Sequence, residues 1–142
     1  YEEVSSNSNN CDAIIKVAAV ADYTPAVYHE EKIKKSDNAE IKLIRTKDIL
    51  GSIRKDFDFR GILVGFAADT NELRENAISK MRQKGCNFIV ANDVSRNDIG
   101  FGSDQNEVTI FDELGMQEQI NKSSKSLIAK AIIEKIETLY KE

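Results

Sequence analysis

In this 142-residue sequence, the residues best placed for chemistry are polar groups that follow short apolar runs. Asp22 comes after DAIIKVAAV (12–20), Phe66-Ala67-Ala68-Asp69-Thr70 closes ILVGFAA (62–68), and Asn92-Asp93 ends FIVAN (88–92). In open α/β sheets ligands gather at the carboxyl ends of strands, so these exits are candidates for one common crevice. An aspartate there could bind a sugar hydroxyl, a base edge or a metal-bound phosphate. Aspartate is also a common turn residue, and pattern alone favours the turn. Ala67 and Ala68 leave room for a phosphate or sugar close to the backbone at a helix start, although the segment is neither GxGxxG nor a Walker loop. Lys80 and Lys84 lie four apart on one helix face, and Lys32, Lys34 and Lys35 form a second basic group. Such lysines could hold phosphates as mobile point charges. A solvated helix face and a lysine-protected sheet edge explain them as well. His29, the single histidine, has no partner spacing for a triad and reads as a surface residue, and Ser103-Asp104 reads as a joining loop.

The elements that would position these residues follow from periodicity. Residues 12–20, 62–68 and 88–92 suit buried strands of a parallel sheet. Pro25, the only proline, marks a strand exit or loop. Residues 32–35 and 41–44 flank a polar Ser36–Glu40 stretch and read as a half-wet hairpin. Ile49, Leu50, Ile53 and Phe57 fall at helical spacing behind Thr46 or Asp48 as caps. The stretch from Thr70 to Lys84 reads as a helix with Leu73, Ala77, Ile78 and Met81 on one stripe and Gly85 past its end. Glu107–Phe111 alternates like a strand. Ser124–Tyr140 reads as a helix with Ile128, Ile132, Ile136 and Tyr140 inward. Tyr1–Val4 reads as part of a helix and residues 5–10 as its polar exit. Alternating helices and strands imply an α/β layer fold with a mainly parallel sheet, in one domain over 1–142.

Composition narrows the function classes. A net charge of −4 argues against a dedicated nucleic-acid binder. No apolar run approaches the ~20 residues that span a bilayer, and no basic-then-apolar signal segment opens the chain, which implies a cytoplasmic protein. Cys11 and Cys86 stand far apart without metal-ligand spacing and read as reduced thiols.

Taken in series, several blocks resemble the phosphopantothenate–cysteine ligases, in the bacterial CTP-dependent type. Ala18-Ala19-Val20-Ala21-Asp22-Tyr23-Thr24-Pro25 resembles the family's AAVADY-x-P motif, and Glu31-Lys32-Ile33-Lys34-Lys35 its EKIKK segment. Gly65–Thr70 resembles GFAAET with Asp69 in place of Glu, and Lys80 and Lys84 match the lysine pair of the next helix. Ile89–Asp93 resembles IVAND, and Phe101–Asn106 the F-x-S-D-x-N loop.

The resemblance implies a Rossmann-like, mainly parallel sheet with flanking helices and a projecting β-hairpin. It implies ligation of 4′-phosphopantothenate to cysteine with CTP and Mg2+ through an acyl-cytidylate, with no flavin on this chain. Carried over residue by residue, Lys32 would be catalytic, on a flap. Asp22, Lys32, Ile44, Arg45, Thr46, Lys47, Phe66, Lys80 and Lys84 would bind the nucleotide, and the metal ligands are unknown. The 32–45 hairpin would form a homodimer. The family's glycine-rich turn and intermediate-holding asparagine have no counterpart here, so the chain is expected to be the C-terminal portion of the ligase domain, lacking its first strands and inactive alone. Two other readings compete. A generic dinucleotide-binding domain predicts a glycine fingerprint, and a non-catalytic assembly module predicts loss of the nucleotide-site residues.

Overall fold

Along the central strands, successive side chains enter two different apolar layers. In β4 (Ile62–Asp69), Leu63 and Ala67 face one layer while Ile62, Val64 and Phe66 face the other. In β5 (Phe88–Asp93), Ile89 and Ala91 oppose Phe88 and Val90 in the same way. A strand buried on both faces has to be apolar almost throughout, which is why both runs were legible as strands. The arrangement comes from a computed structural model that describes residues 1–33, 38–69, 72–93 and 102–141, without the side chains of Asp69 and Asp93. The sequence expectations for Lys34, Lys35, Thr70 and Phe101 lie outside the described residues.

The sheet has the order β1-β4-β5-β6-β7. β1 (Ala13–Lys16), β4 and β5 run parallel, and β6 (Gln105–Asp112) and β7 (Gln117–Ser124) continue the sheet antiparallel. The sheet is therefore mixed, with a parallel core. One face carries α2 (Ile49–Lys55) and α3 (Leu73–Lys84), and the other carries α4 (Lys125–Lys141). A short α1 (Glu2–Asn7) runs three residues further than expected before a 3-10 turn, and Tyr1 and Val4 pack on the α2/α3 layer.

The first strand and the hairpin depart from expectation: β1 covers only Ala13–Lys16 of the expected 12–20 and is half-buried rather than buried. The antiparallel ribbon pairs β2 (Tyr23–Pro25) with β3 (Leu43–Arg45): β3 overlaps the expected arm 41–44, but its partner is β2, and Lys32 and Ile33 of the other expected arm lie on the connection between the two strands. Pro25 is the last residue of β2, so it does stand at a strand exit, and a two-stranded edge tolerates a residue without an N–H donor. β7 was not foreseen. Its eight residues QEQINKSS hold one apolar side chain, Ile120, which packs on the α4 layer. An edge strand needs only its ladder and one inward residue, so it carries no periodicity signal. The turn that leads into it is held by Asp112, whose Oδ1 accepts from Leu114 N and Met116 N (3.1 and 2.9 Å), and Gly115 takes φ +80.

The expected stripe on α4 holds for Ile128, Ile132 and Ile136 but not Tyr140, which is 66% exposed. At 3.6 residues per turn, a residue twelve positions on has rotated by about 120°, whereas one eleven on returns to within about 20°. Leu139 accordingly takes the inward place.

Arg54 ties the α2/α3 layer to the strands. It donates to Gly85 O (3.0 Å), Phe59 O (2.7 Å) and Asn87 Oδ1 (2.9 Å), and its guanidinium stacks over the Phe59 ring. Asn87 Oδ1 also accepts from Leu63 N at 2.8 Å. One side chain thus joins the end of α2, the turn after α3 and the start of β4. Arg54→Met is expected to cost about 2 kcal/mol, because it takes the donor from the buried Phe59 carbonyl and the guanidinium from its ring. Denaturant unfolding checks this, and a loss near zero would show that water replaces the arginine.

Candidate functional site

A crevice of about 1090 Å³ opens where the parallel strands end. β1 leaves the sheet at Lys16 and continues through Val17, Ala18, Ala19 and Val20, small or half-exposed residues that keep the mouth open. Phe66, Ala67 and Ala68 of β4 and Asn92 of β5 form the floor. In-register pairing brings Ala68 beside Asn92, so the exits of β4 and β5 lie level. Ile128, Ile132 and Ile133 of α4 supply an apolar wall.

The ribbon is fastened at the crevice rim. Thr46 donates from its backbone N to Asp22 O (2.9 Å) and from its hydroxyl to Ala21 O (2.6 Å). Arg45 is paired across the ribbon with Tyr23 and hydrogen-bonds to its side chain. Lys47 holds its ammonium 4.3 Å from the centre of the Tyr1 ring. Asp48 caps α2 by accepting from Gly51 N (3.0 Å) and also accepts from Lys84. Lys80 donates to Phe66 O at 2.7 Å, and Lys16 donates to Ala18 O. In a helix each side chain tilts toward the N-terminus, so lysines near the end of α3 can point back toward the strand exits.

Among the described lining residues, the charged side chains are Lys16, Arg45, Lys47, Lys80, Lys84 and Lys125 against Asp22 and Asp48. Six cations face two carboxylates in a chain whose overall charge is −4. The electrostatics agree with this crowding. Lys16 is pushed below the usual lysine value, first by burial and then by the charge of Lys80, with Asp48 opposing. For Asp48, burial raises the carboxyl value, but the Lys84 and Gly51 hydrogen bonds and the charges of Lys84 and Lys55 outweigh it, so it lies below its ordinary 3.8. Asn92 Oδ1 is buried and has no hydrogen-bond partner among the described residues.

Of the residues picked out in sequence, Asp22, Arg45, Thr46, Lys47, Phe66, Lys80 and Lys84 line the crevice together. Lys32 and Ile44 do not: both are exposed, Ile44 on β3 and Lys32 on the connection between β2 and β3. Sequence reasoning missed Lys16, Asn106 and Lys125 as lining residues and read Asp48 only as a cap. Lys16 did leave a signal, as a lysine at the end of an apolar strand.

The sequence family described as "DNA/pantothenate metabolism flavoprotein C-terminal domain" matches residues 1–140. The chain belongs to this family. It is 41% identical over 145 residues to the coenzyme A biosynthesis bifunctional protein CoaBC of Bacillus subtilis (strain 168), covering 99% of this chain and 35% of that protein. The chain thus spans about a third of the length of that relative. The crystal structure of the C-terminal domain of a coenzyme A biosynthesis bifunctional protein CoaBC superposes with a TM-score of 0.78 at 34% identity, over 99% of this chain and 60% of that one. A Cab2 H337A mutant in complex with phosphopantothenate-cysteine shares the fold, with a TM-score of 0.68 at 13% identity, over 98% of this chain and 51% of that one.

The Asp48 carboxylate makes a pH prediction. Its value is lowered in the folded chain, so its contribution is present above about 3.8 and is lost as pH falls through the lower folded value. Wild-type stability should drop more steeply below pH 3.8 than that of Asp48→Asn, which keeps a capping oxygen. Asp48→Ala should cost about 1 kcal/mol at neutral pH through the lost cap. Thermal melts from pH 7 downward test both, and parallel profiles for wild type and Asp48→Asn would remove Asp48 from the acid transition.

Proposed function

We propose that the protein containing this chain joins 4′-phosphopantothenate to cysteine using a nucleoside triphosphate, in coenzyme A synthesis, and that the crevice is where this chain holds the nucleotide. The observation that carries the reading is that, among the described lining residues, six cations outnumber two carboxylates in an acidic chain. Such a focus of positive charge suits a polyphosphate. The coenzyme A biosynthesis named for the CoaBC relatives supports the pathway, and the phosphopantothenate-cysteine in complex with the Cab2 mutant supports the substrates.

The chemistry fits these groups. A carboxylate oxygen of phosphopantothenate attacks the nucleotide α-phosphorus, and the bond to the β-phosphate oxygen breaks, releasing pyrophosphate. The cysteine amine then attacks the acyl carbon, expelling the nucleoside monophosphate and losing a proton. Lys80 and Lys84, with Arg45 and Lys47 at the rim, would stabilise charge building on the phosphates. Phe66 and the apolar α4 wall would take the base and ribose and keep water from the mixed anhydride. Asp22 would accept from ribose or base.

Magnesium would arrive on the nucleotide phosphates. The described residues hold no cluster of three carboxylate, histidine or cysteine ligands, and Asp48 is already engaged by Lys84. No step of this reading uses a flavin. CTP is the proposed nucleotide, from the family resemblance. Lys32 would act from the β2–β3 connection, after that connection approaches the crevice.

Tyr28, Ile33 and Ile41, on the connection, and Leu43 and Ile44, on β3, are about half to nine-tenths exposed. We assign this apolar surface to a homodimer through the 32–45 region. No described helix is long and apolar enough to cross a membrane, and the reading places the enzyme in the cytoplasm.

The deciding experiment mixes the full gene product with 4′-phosphopantothenate, cysteine, magnesium and CTP or ATP, and follows pyrophosphate release. CTP-driven release that requires phosphopantothenate is expected, with Lys32→Ala slower by about a hundredfold. A folded protein that releases none with either nucleotide overturns the ligase. Light scattering on an Ile41→Asp/Tyr28→Asp variant should report half the wild-type mass, and an unchanged mass would exclude the ribbon as the dimer contact.

A further inference from the structure

Lys16 is a lysine at the end of a half-buried strand set between two apolar layers, and such a position costs desolvation unless the charge has a use. Strand alternation puts it on the same side as Ile14, the α2/α3 layer, opposite Gly65 in register. Lys80 and Lys84 of α3 and Asp48 of α2 lie on that side too. Lys84 is neutralised by the Asp48 carboxylate. Lys16 and Lys80 are held only by main-chain carbonyls, those of Ala18 and Phe66, and among the described residues neither has a carboxylate within ion-pair distance. A carbonyl offers a dipole and no countercharge, so an incoming anion that makes charge-assisted bonds would displace it readily.

We propose that Lys16 is a phosphate-binding residue of this crevice and grips, together with Lys80, the polyphosphate portion of the nucleotide. The proposal rests on the nucleotide reading above and adds a residue to it. The charges of Lys80 and Asp48 are both felt at Lys16, which places the three groups in one electrostatic neighbourhood. A purely structural Lys16 would instead hold the turn after β1 through Ala18 O, and its loss would disturb every ligand alike.

The test uses the full gene product as wild type, Lys16→Met and Lys16→Arg, with binding of inorganic pyrophosphate, CTP and cytidine measured by calorimetry beside a thermal melt. Lys16→Met should weaken pyrophosphate and CTP by about tenfold, equivalent to about 1.4 kcal/mol, and leave cytidine unchanged. Lys16→Arg should restore most of the loss. Lys16→Gln replaces the Met variant if its melt is lost. Unchanged binding of pyrophosphate and CTP to the neutral variant overturns the proposal. So does an equal loss for cytidine that arginine fails to rescue, and so does a wild type that binds neither anion. Normal ligation with a Lys16-independent CTP affinity would sink Lys16 and leave the ligase standing. Lys16-dependent pyrophosphate binding without ligation would sink the ligase and leave the anion site.

Discussion

The parallel pairing of β4 with β5, sealed between two apolar layers, is the constraint on which the rest of this structure depends. Leu63, Val64, Phe88, Ile89 and Val90 have essentially no exposed surface, so no polar side chain could stand along that stretch without an unmet hydrogen bond. Polarity is excluded from the strands and accumulates where they end. Because the two strands run in the same direction and in register, both ends open on one edge. β1 joins them in the same sense and brings Lys16 and the Ala18–Asp22 turn to the same place. The crevice results from burying the strands, before any ligand is considered.

Charge is distributed unevenly over this scaffold. An acidic chain repels polyphosphates at long range, yet the crevice gathers cations on partly desolvated walls, where screening by water is weaker. These cations lean on a carboxylate for Lys84, carbonyls for Lys80 and Lys16, and an aromatic face for Lys47. These are weaker partners than a phosphate, except for Asp48. The Asp48–Lys84 pair therefore also acts as a strut that positions α3 against the start of α2, so Lys84 would meet a phosphate with Asp48 still beside it, while its neighbours keep free charge for a ligand.

What the sequence made legible follows from the same physics. β4, β5, α3 and α4 were readable because burial on two faces, or on one stripe, imposes composition and period. Gly85 marked the end of α3 because its φ of +66 suits glycine. β7 was not readable, since an outer strand held by ladder bonds and one isoleucine has no composition to show. The first ribbon arm was misplaced because Tyr23–Pro25 is exposed on all three residues and alternates nothing. For the crevice, lysine spacing on α3 and the polar exits pointed correctly to one place. Lys16 and Asn106 escaped because their convergence depends on which strand neighbours which, and that order, β1-β4-β5-β6-β7, is set by tertiary packing.

The ribbon and the crevice share a joint, and this has an energetic consequence. Thr46 fastens β3 to the Ala21–Asp22 turn by two hydrogen bonds, and the residues on either side of it, Arg45 and Lys47, line the crevice with Asp22. Each such bond is worth about 1 kcal/mol net, enough to couple the positions of these groups without locking them. Ordering the ribbon from outside therefore restricts Asp22 and Arg45, and an anion that orders the rim restricts the ribbon by the same free energy. Short strands with little core of their own, held at one end by threonine, can be moved at low cost, whereas the β4–β5 floor cannot. The molecule thus separates a rigid surface, which fixes where phosphate charge would rest, from an adjustable rim, which sets how tightly it would be enclosed.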